Sequence, residues 1–569
     1  MPAPEFFRHS FIGQVIYYAS GRRLLRYPEE KQGYVVPTRY LHSRATTTSD
    51  KSLVYNNKQP PPKGLATPPE PLLPPDESTV GQEYFHPHGS LDEEAQKHHG
   101  KDYDPDLVSW DGPDDPEAPL NWSSWKKACV LAQVSLHTLS IYIGASIYGP
   151  GIGDLSEKFG ISEVAGSLGI TMFVLGYATG PMVLAPLSEI PRIGRTPIYV
   201  LTLLVFVLLQ IPTALSKNLG ALLPLRFLAG FFGSPALSTG GATLADVYKP
   251  EDCAVVIGIW SVLGFGGPAL GPIMGGFAAE AKGWTWTIWI LMWMSGAAVI
   301  ILAFTMPETS AQAILYRRAD RLRRATGNMN LHTQAERDGM HVSVSELAMT
   351  TLVRPFILAF LEPIVFSWNL YLALLYGLLY CWIESFGVVF VGMHGFSLGE
   401  NGLAFISVVV GACLAFLGFF PWIKYVMNPK FVNGTFTPED RMPVAMVGAI
   451  TMPIALFWFG WTSSPSIHWI SPILAAVFWA MANYLMFQAG INYLLDCYPR
   501  YVASILAGST LMRSALGASF PLFSNAFFNN LGVGPACSIL GGITALMIPI
   551  PFVLYKYGPR IRSWSKYAN

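Results

Sequence analysis

GFGGPALGPIMGG, from Gly264 to Gly276, decides what kind of protein this is. Gly267, Gly271 and Gly275 recur at every fourth position, so on a helix they form one flat stripe. A helix with such a stripe can lie nearly backbone to backbone against a neighbour, which is how helices pack in lipid. Pro268 and Pro272 stand beside the stripe and kink the helix. The surrounding run, residues 254–278, is apolar and long enough to cross a hydrocarbon core.

Eleven similar runs surround it. They fall near 127–149, 164–187, 197–215, 220–244, 285–306, 362–385, 401–423, 442–463, 469–494, 502–528 and 534–556. Each is continuous rather than alternating, which predicts helices and excludes a barrel. The polar stretch 307–356 divides the twelve into six and six. The expected fold is therefore an all-α membrane protein with two six-helix pseudo-symmetric halves. The domain reading is a cytosolic N-terminal segment 1–125, a first half 126–306, a linker 307–361, a second half 362–557 and a tail 558–569.

Composition agrees. The chain has 569 residues, of which 51% are hydrophobic and 13% charged, too few charges for a soluble surface of this size. Net charge is zero, so nothing suggests a nucleic-acid partner. The six cysteines are scattered, without the spacing of a zinc site or disulfide framework.

The N-terminal segment reads in two parts. Phe7, Phe11 and Val15 recur at helical spacing among arginines, predicting a helix within 1–40 that lies on a membrane surface. Residues 41–119 hold 13 prolines and 15 acids against 6 bases, which predicts disorder. The linker's YRRADRLRR, Tyr316 to Arg324, reads as a helix on the inner leaflet. With the N-terminus taken as cytosolic, the inner loops hold 14 Lys/Arg and the outer loops 3, which places both termini inside.

No G-x-x-x-x-G-K-[ST] occurs, so ATP does not drive this protein, and no cofactor or enzymatic constellation is visible. The remaining class is a carrier driven by a gradient.

The same glycine stretch, Gly264, Gly267, Pro268, Gly271, Pro272, Gly275 and Gly276, resembles the antiporter signature of twelve-span drug:proton antiporters of the major facilitator superfamily. PLSEIPRIGRTPIY (Pro186–Tyr199) resembles that superfamily's cytosolic gating motif in its fungal form, and RFLAGFFGSPALSTGGATLADVY (Arg226–Tyr248) its Arg-containing fourth-span motif. LEPIVFSWNLYLALLYGLLYCWIESF (Leu361–Phe386), PEDRM (Pro438–Met442) and RSALGASFPLF (Arg513–Phe523) look like fungal multidrug and azole-resistance exporters of the benomyl/methotrexate type. Three features depart from the pattern. The gating motif is not visibly repeated between spans eight and nine, Ala229 stands where many relatives have Gln, and Trp284-Thr285-Trp286 lacks the usual central arginine.

The resemblance implies proton-coupled export of drugs and other xenobiotics from a monomer surrounded by lipid, in the plasma membrane or alternatively the vacuolar membrane. It assigns Glu189, Gly194, Arg195 and Asp246 to a cytosolic gate, with Asp246 a partner for Arg195. It tips Arg226 toward proton coupling. A bilayer charge is costly, so Arg226 and Arg513 face the bundle interior, as proton-coupling groups or as hydrogen-bond anchors. Arginine keeps its proton and acts on a neighbouring acid. Glu384, at the outer end of span seven, is the candidate acid, since alternating access would switch its surroundings and so load and release a proton. Interfacial solvation competes with that reading, and is favoured for Glu362, Asp246 and Asp496 at cytosolic span ends. Asn369, Tyr371, Tyr376, Tyr484 and Gln488 are expected to line a broad substrate cavity. Two other functions stay open: export of a natural metabolite such as a polyamine or organic acid, and a non-transporting sensor or scaffold.

Overall fold

The computed structural model describes residues 7–40 apart from 32, 35, 38 and 39, then 104, 106–339, 349, and 353–567 apart from 499, 500 and 566. Most of the stretch expected to be disordered, 41–103, and Arg500, expected in an inner loop, lie outside the described residues.

Among the described residues the chain makes twelve helical spans and no sheet. The first six are Ser124–Ser146, Glu163–Thr179 continued by Pro181–Glu189, Arg195–Ala214, Leu219–Gly233 continued through Pro235–Ser238 and Gly240–Val247, Pro250–Lys282, and Trp284–Thr305. The second six are Pro363–Phe386 running on through Gly387–Met393, Leu398–Ala404 with Ile406–Trp422, Met442–Thr462, Ile470–Cys497, Val502–Leu531, and Val533–Met547 with Pro549–Arg562. Local chemistry sets their ends. Ser162 accepts from Ala165 N–H, Asn218 from Ala221 N–H, and Ser397 with Glu400 forms a capping box. Gly283 and Gly532, at φ 86° and 80°, make the tight turns into spans six and twelve.

Small residues fix the pairings. Gly176 and Gly230 let spans two and four cross with their backbones in contact, on Phe227 and Phe173 carbonyls. Gly448 does the same between spans nine and ten, where an added Cβ would meet the Ala482 carbonyl at 2.9 Å. The halves meet where span two packs on span eleven and span five on span eight.

The N-terminal segment differs from expectation in an informative way. A helix is present within 1–40, at Phe11–Ala19, and it packs against spans six and three. However, the last part of the stretch expected to be disordered is folded. Residues 106–122 lie against the linker helix Ala311–Thr326. Arg318 pairs with Asp115 at 2.7 Å and with Asp111; Arg321 reaches Glu29 at 3.1 Å and Glu117 at 3.7 Å and lies 4.1 Å over the Tyr27 ring. Asn328 donates to Asp106 at 2.8 Å. The arginines read as a lipid-facing surface are thus met by acids of the same chain. An acidic, proline-rich stretch that could not build a core alone is held here by a basic helix.

Burial alone would push the Asp115 carboxyl up, but the Asp111 and Glu117 N–H groups and the Arg318 guanidinium outweigh it and hold it low. A group depressed in the folded state stabilises at neutral pH. That contribution is lost only as pH falls from about 3.9 toward the folded value. Arg318→Ala strands a buried carboxylate, a loss of about 3–5 kcal/mol. Hydrogen exchange over residues 106–122 is expected to rise at least about tenfold in this variant at neutral pH, and unchanged protection would refute the clasp.

Candidate transport pathway

A cavity lies between the halves. Thr138 and Tyr142 of span one and Trp260, Ser261, Gly264, Phe265 and Pro268 of span five form one wall. Leu372, Leu375, Tyr376 and Leu379 of span seven, Asn483 and Phe487 of span ten and Arg513 of span eleven form the other. The glycine stretch explains the first wall. Gly267, Gly271 and Gly275 face away from the cavity onto span one, against Tyr142, Ser146 and Ile147, while Gly276 meets Leu398 at the start of span eight. Gly264 has open space before it. The stripe holds span five on span one, and its other face is free to line the cavity.

Polar wall groups are tied locally. Trp260 Nε1 donates to Thr138 Oγ1 at 2.9 Å, and Ser261 Oγ to Gln488 Oε1 at 3.2 Å. Of the five expected cavity residues, Tyr376 is in the wall. Gln488 and Tyr484 sit behind it in bonds across the halves, Tyr484 donating to the Gly258 carbonyl at 2.9 Å. Asn369 and Tyr371 are buried and outside the wall, and Tyr371 packs on Trp368. Trp260, Phe265 and Tyr142 were not anticipated. Facing is illegible in helices that are apolar all round.

On the face carrying the termini, Arg195 Nε meets Asp246 Oδ2 at 2.7 Å, with Glu189 close by. Gly194 has φ 82° and no room for a Cβ against Glu308. The Glu308 carboxylate accepts from Arg195 N–H at 3.0 Å and pairs with Arg317 at 3.2 Å. The second half repeats this arrangement despite lacking a visible motif. Arg441 Nε meets Asp496 Oδ2 at 2.8 Å, and Arg562 meets Glu439 at 3.1 Å. Asp496 and Asp246 are thus both ion-paired. Among the described residues, no ion pair on this face joins the two halves.

On the opposite face the ties cross between halves. Thr171 donates to the Ala518 carbonyl at 2.8 Å, Asn525 to Glu163 at 3.2 Å, and Gly399 N–H to Glu280 at 3.0 Å. Glu384 lies at this end, where its charged neighbour is Glu163 rather than an arginine.

Arg226 is fully buried. It donates to the Gly169 carbonyl at 3.1 Å and the Gly144 carbonyl at 2.9 Å, and lies over the Tyr148 and Phe173 rings. Among the described residues no carboxylate pairs with it or with Arg513.

Residues 134–522 match the model of the Major Facilitator Superfamily. The chain is 47% identical to the transporter mfs1 of Schizosaccharomyces pombe, over 81% of this chain and 88% of that one. It is 38% identical to a cycloheximide resistance protein of Candida maltosa, over 99% of both. In fold it is similar to the xylose transporter XylE from E. coli in a partially occluded inward-open conformation, with TM-score 0.52 and 14% identity, covering 76% of this chain and 99% of that one.

Proposed function

The chain belongs to the Major Facilitator Superfamily, and on that footing we propose that it exports structurally diverse small organic molecules, drugs and fungicides among them, in exchange for protons. The observation that carries this reading is the aromatic cavity between the halves, with walls drawn from both. Such a cavity is reached alternately from either face when the halves rock. The likeness to a protein named for cycloheximide resistance, along nearly the whole chain, supports a xenobiotic cargo.

The face carrying the termini is cytosolic in this reading, in the plasma membrane, and the protein works as a monomer. The ties at the opposite face hold the external side shut. The Arg195–Asp246 and Arg441–Asp496 pairs brace the two cytosolic rims as rigid bodies. Glu384 is the proton-carrying acid. It sits on span seven, one helical turn beyond the cavity wall residue Leu379 and Tyr380, at the end that must open for release. Opening there would hydrate its carboxyl, and closing would bury it.

The test is purified protein in liposomes with an imposed pH gradient. Cycloheximide is expected to move against its gradient while the pH difference lasts and to stop when a protonophore collapses it. Glu384→Gln is expected to keep downhill exchange and lose pH-driven accumulation. Accumulation indifferent to the pH gradient would remove the proton from the proposal.

A further inference from the structure

We propose that the cavity selects molecules bearing an anionic or strongly accepting group and rejects cations, with Arg513 as the residue that sets this preference. The inference deepens the export reading and rests on it for the site.

Arg513 is the one charged residue among the cavity's described lining. The residue is 3% exposed. Its Nε has no hydrogen-bond partner, and its contact from Nη2 to Thr510 Oγ1 is long, at 3.4 Å. The guanidinium lies 5.4 Å over the Tyr376 ring and 5.1 Å over the Phe487 ring, and both rings are cavity wall. A buried guanidinium in the cavity wall with an unpartnered N–H, steadied by two aromatic faces, is a donor group that a small turn of the side chain would offer to a guest's acceptor.

The carboxylates are elsewhere. Asp246, Asp496, Glu439 and Glu308 are each paired with an arginine on the face carrying the termini, and Glu362 accepts from Tyr498. Glu384 is toward the opposite face, beside Glu163. The second buried cation, Arg226, also lacks a carboxylate partner among the described residues. The potential inside is therefore positive, and low-dielectric walls strengthen it. A cationic guest would add a like charge in a desolvated space, whereas a carboxylate, sulfonate or polarised carbonyl would complete the Arg513 donors. Polyamines are the class this cavity fits worst.

The test uses two dyes on one ring frame: fluorescein, an anion at neutral pH, and a rhodamine methyl ester, a cation. Binding to the purified full chain is read by fluorescence anisotropy. Fluorescein is expected to bind at least about tenfold more tightly. Arg513→Gln is expected to bring the two within about threefold of each other, and Arg513→Lys to keep most of the preference. Equal or tighter rhodamine binding in the unaltered chain, binding of neither dye, or a preference that survives Arg513→Gln would overturn the proposal. Liposome export separates this from the broader reading. Preferential fluorescein binding without pH-driven movement sinks export and leaves the charge preference. Export of both dyes alike does the reverse.

Discussion

Gly271→Ala is expected to cut pH-driven export about ten- to a hundredfold, while Gly266→Ala, five residues away on the same helix, leaves it within about twofold. The difference lies in what the new methyl meets. At Gly271 it would run into Ser146 Oγ and stand 2.8 Å from the Ile147 backbone nitrogen. That nitrogen belongs to the end of span one and cannot rotate aside as a side chain would. At Gly266 nothing lies within 4 Å. Overpacking of this kind costs about 1–3 kcal/mol. Spans one and five together carry one wall of the cavity, so the clash misaligns that wall, and a penalty of this size on the transport-competent arrangement gives the fold-loss expected. Liposome transport with both variants at matched reconstitution measures it. Normal export by Gly271→Ala would show that spans one and five need no such close contact.

The same stretch shows what the sequence could and could not disclose. Spacing of four revealed a stripe, and a stripe requires a partner helix, so the packing role was legible. Which helix it meets was not, because any of the other spans could offer a flat face. The spans themselves were legible because lipid demands continuous apolar runs. The cavity wall was largely not, since Trp260, Phe265 and Tyr142 sit in helices whose lipid and cavity faces are equally apolar. Arg441 and Asp496 escaped for another reason. They are 55 residues apart, and the loop between spans eight and nine lacks the Gly-Arg signature that marks Arg195 in the first half. Fold symmetry alone would have found them: each is the counterpart of a first-half residue at the head of one span and the foot of the next. The folded stretch 106–122 was misread because composition reports what a segment can bury alone. It is silent about a partner such as Arg318 that neutralises it.

Arg226→Met is expected to abolish proton-driven accumulation, at least about a hundredfold, while the melting temperature of the purified protein changes by no more than about 4–8 °C. The asymmetry follows from magnitudes. Two charge-assisted hydrogen bonds to the Gly144 and Gly169 carbonyls stabilise by about 1.5–3 kcal/mol each, and the two ring contacts add about 2 kcal/mol each. Against this stands the cost of holding an unneutralised ion inside a membrane, about 2.5 to 17 kcal/mol, a range that brackets the roughly 7–10 kcal/mol of those four contacts. The two largely cancel, so a methionine of similar reach leaves folding nearly as it was. What it removes is a fixed positive charge that spans one, two and four hold in place, with Tyr380 of span seven within its field. Arg226→Lys keeps the charge but not the fork that reaches two carbonyls, so it should recover only part of the coupling. A large fall in melting temperature accompanying the loss would instead make Arg226 an anchor of the first half. Unimpaired accumulation in Arg226→Met would take it out of the coupling mechanism altogether.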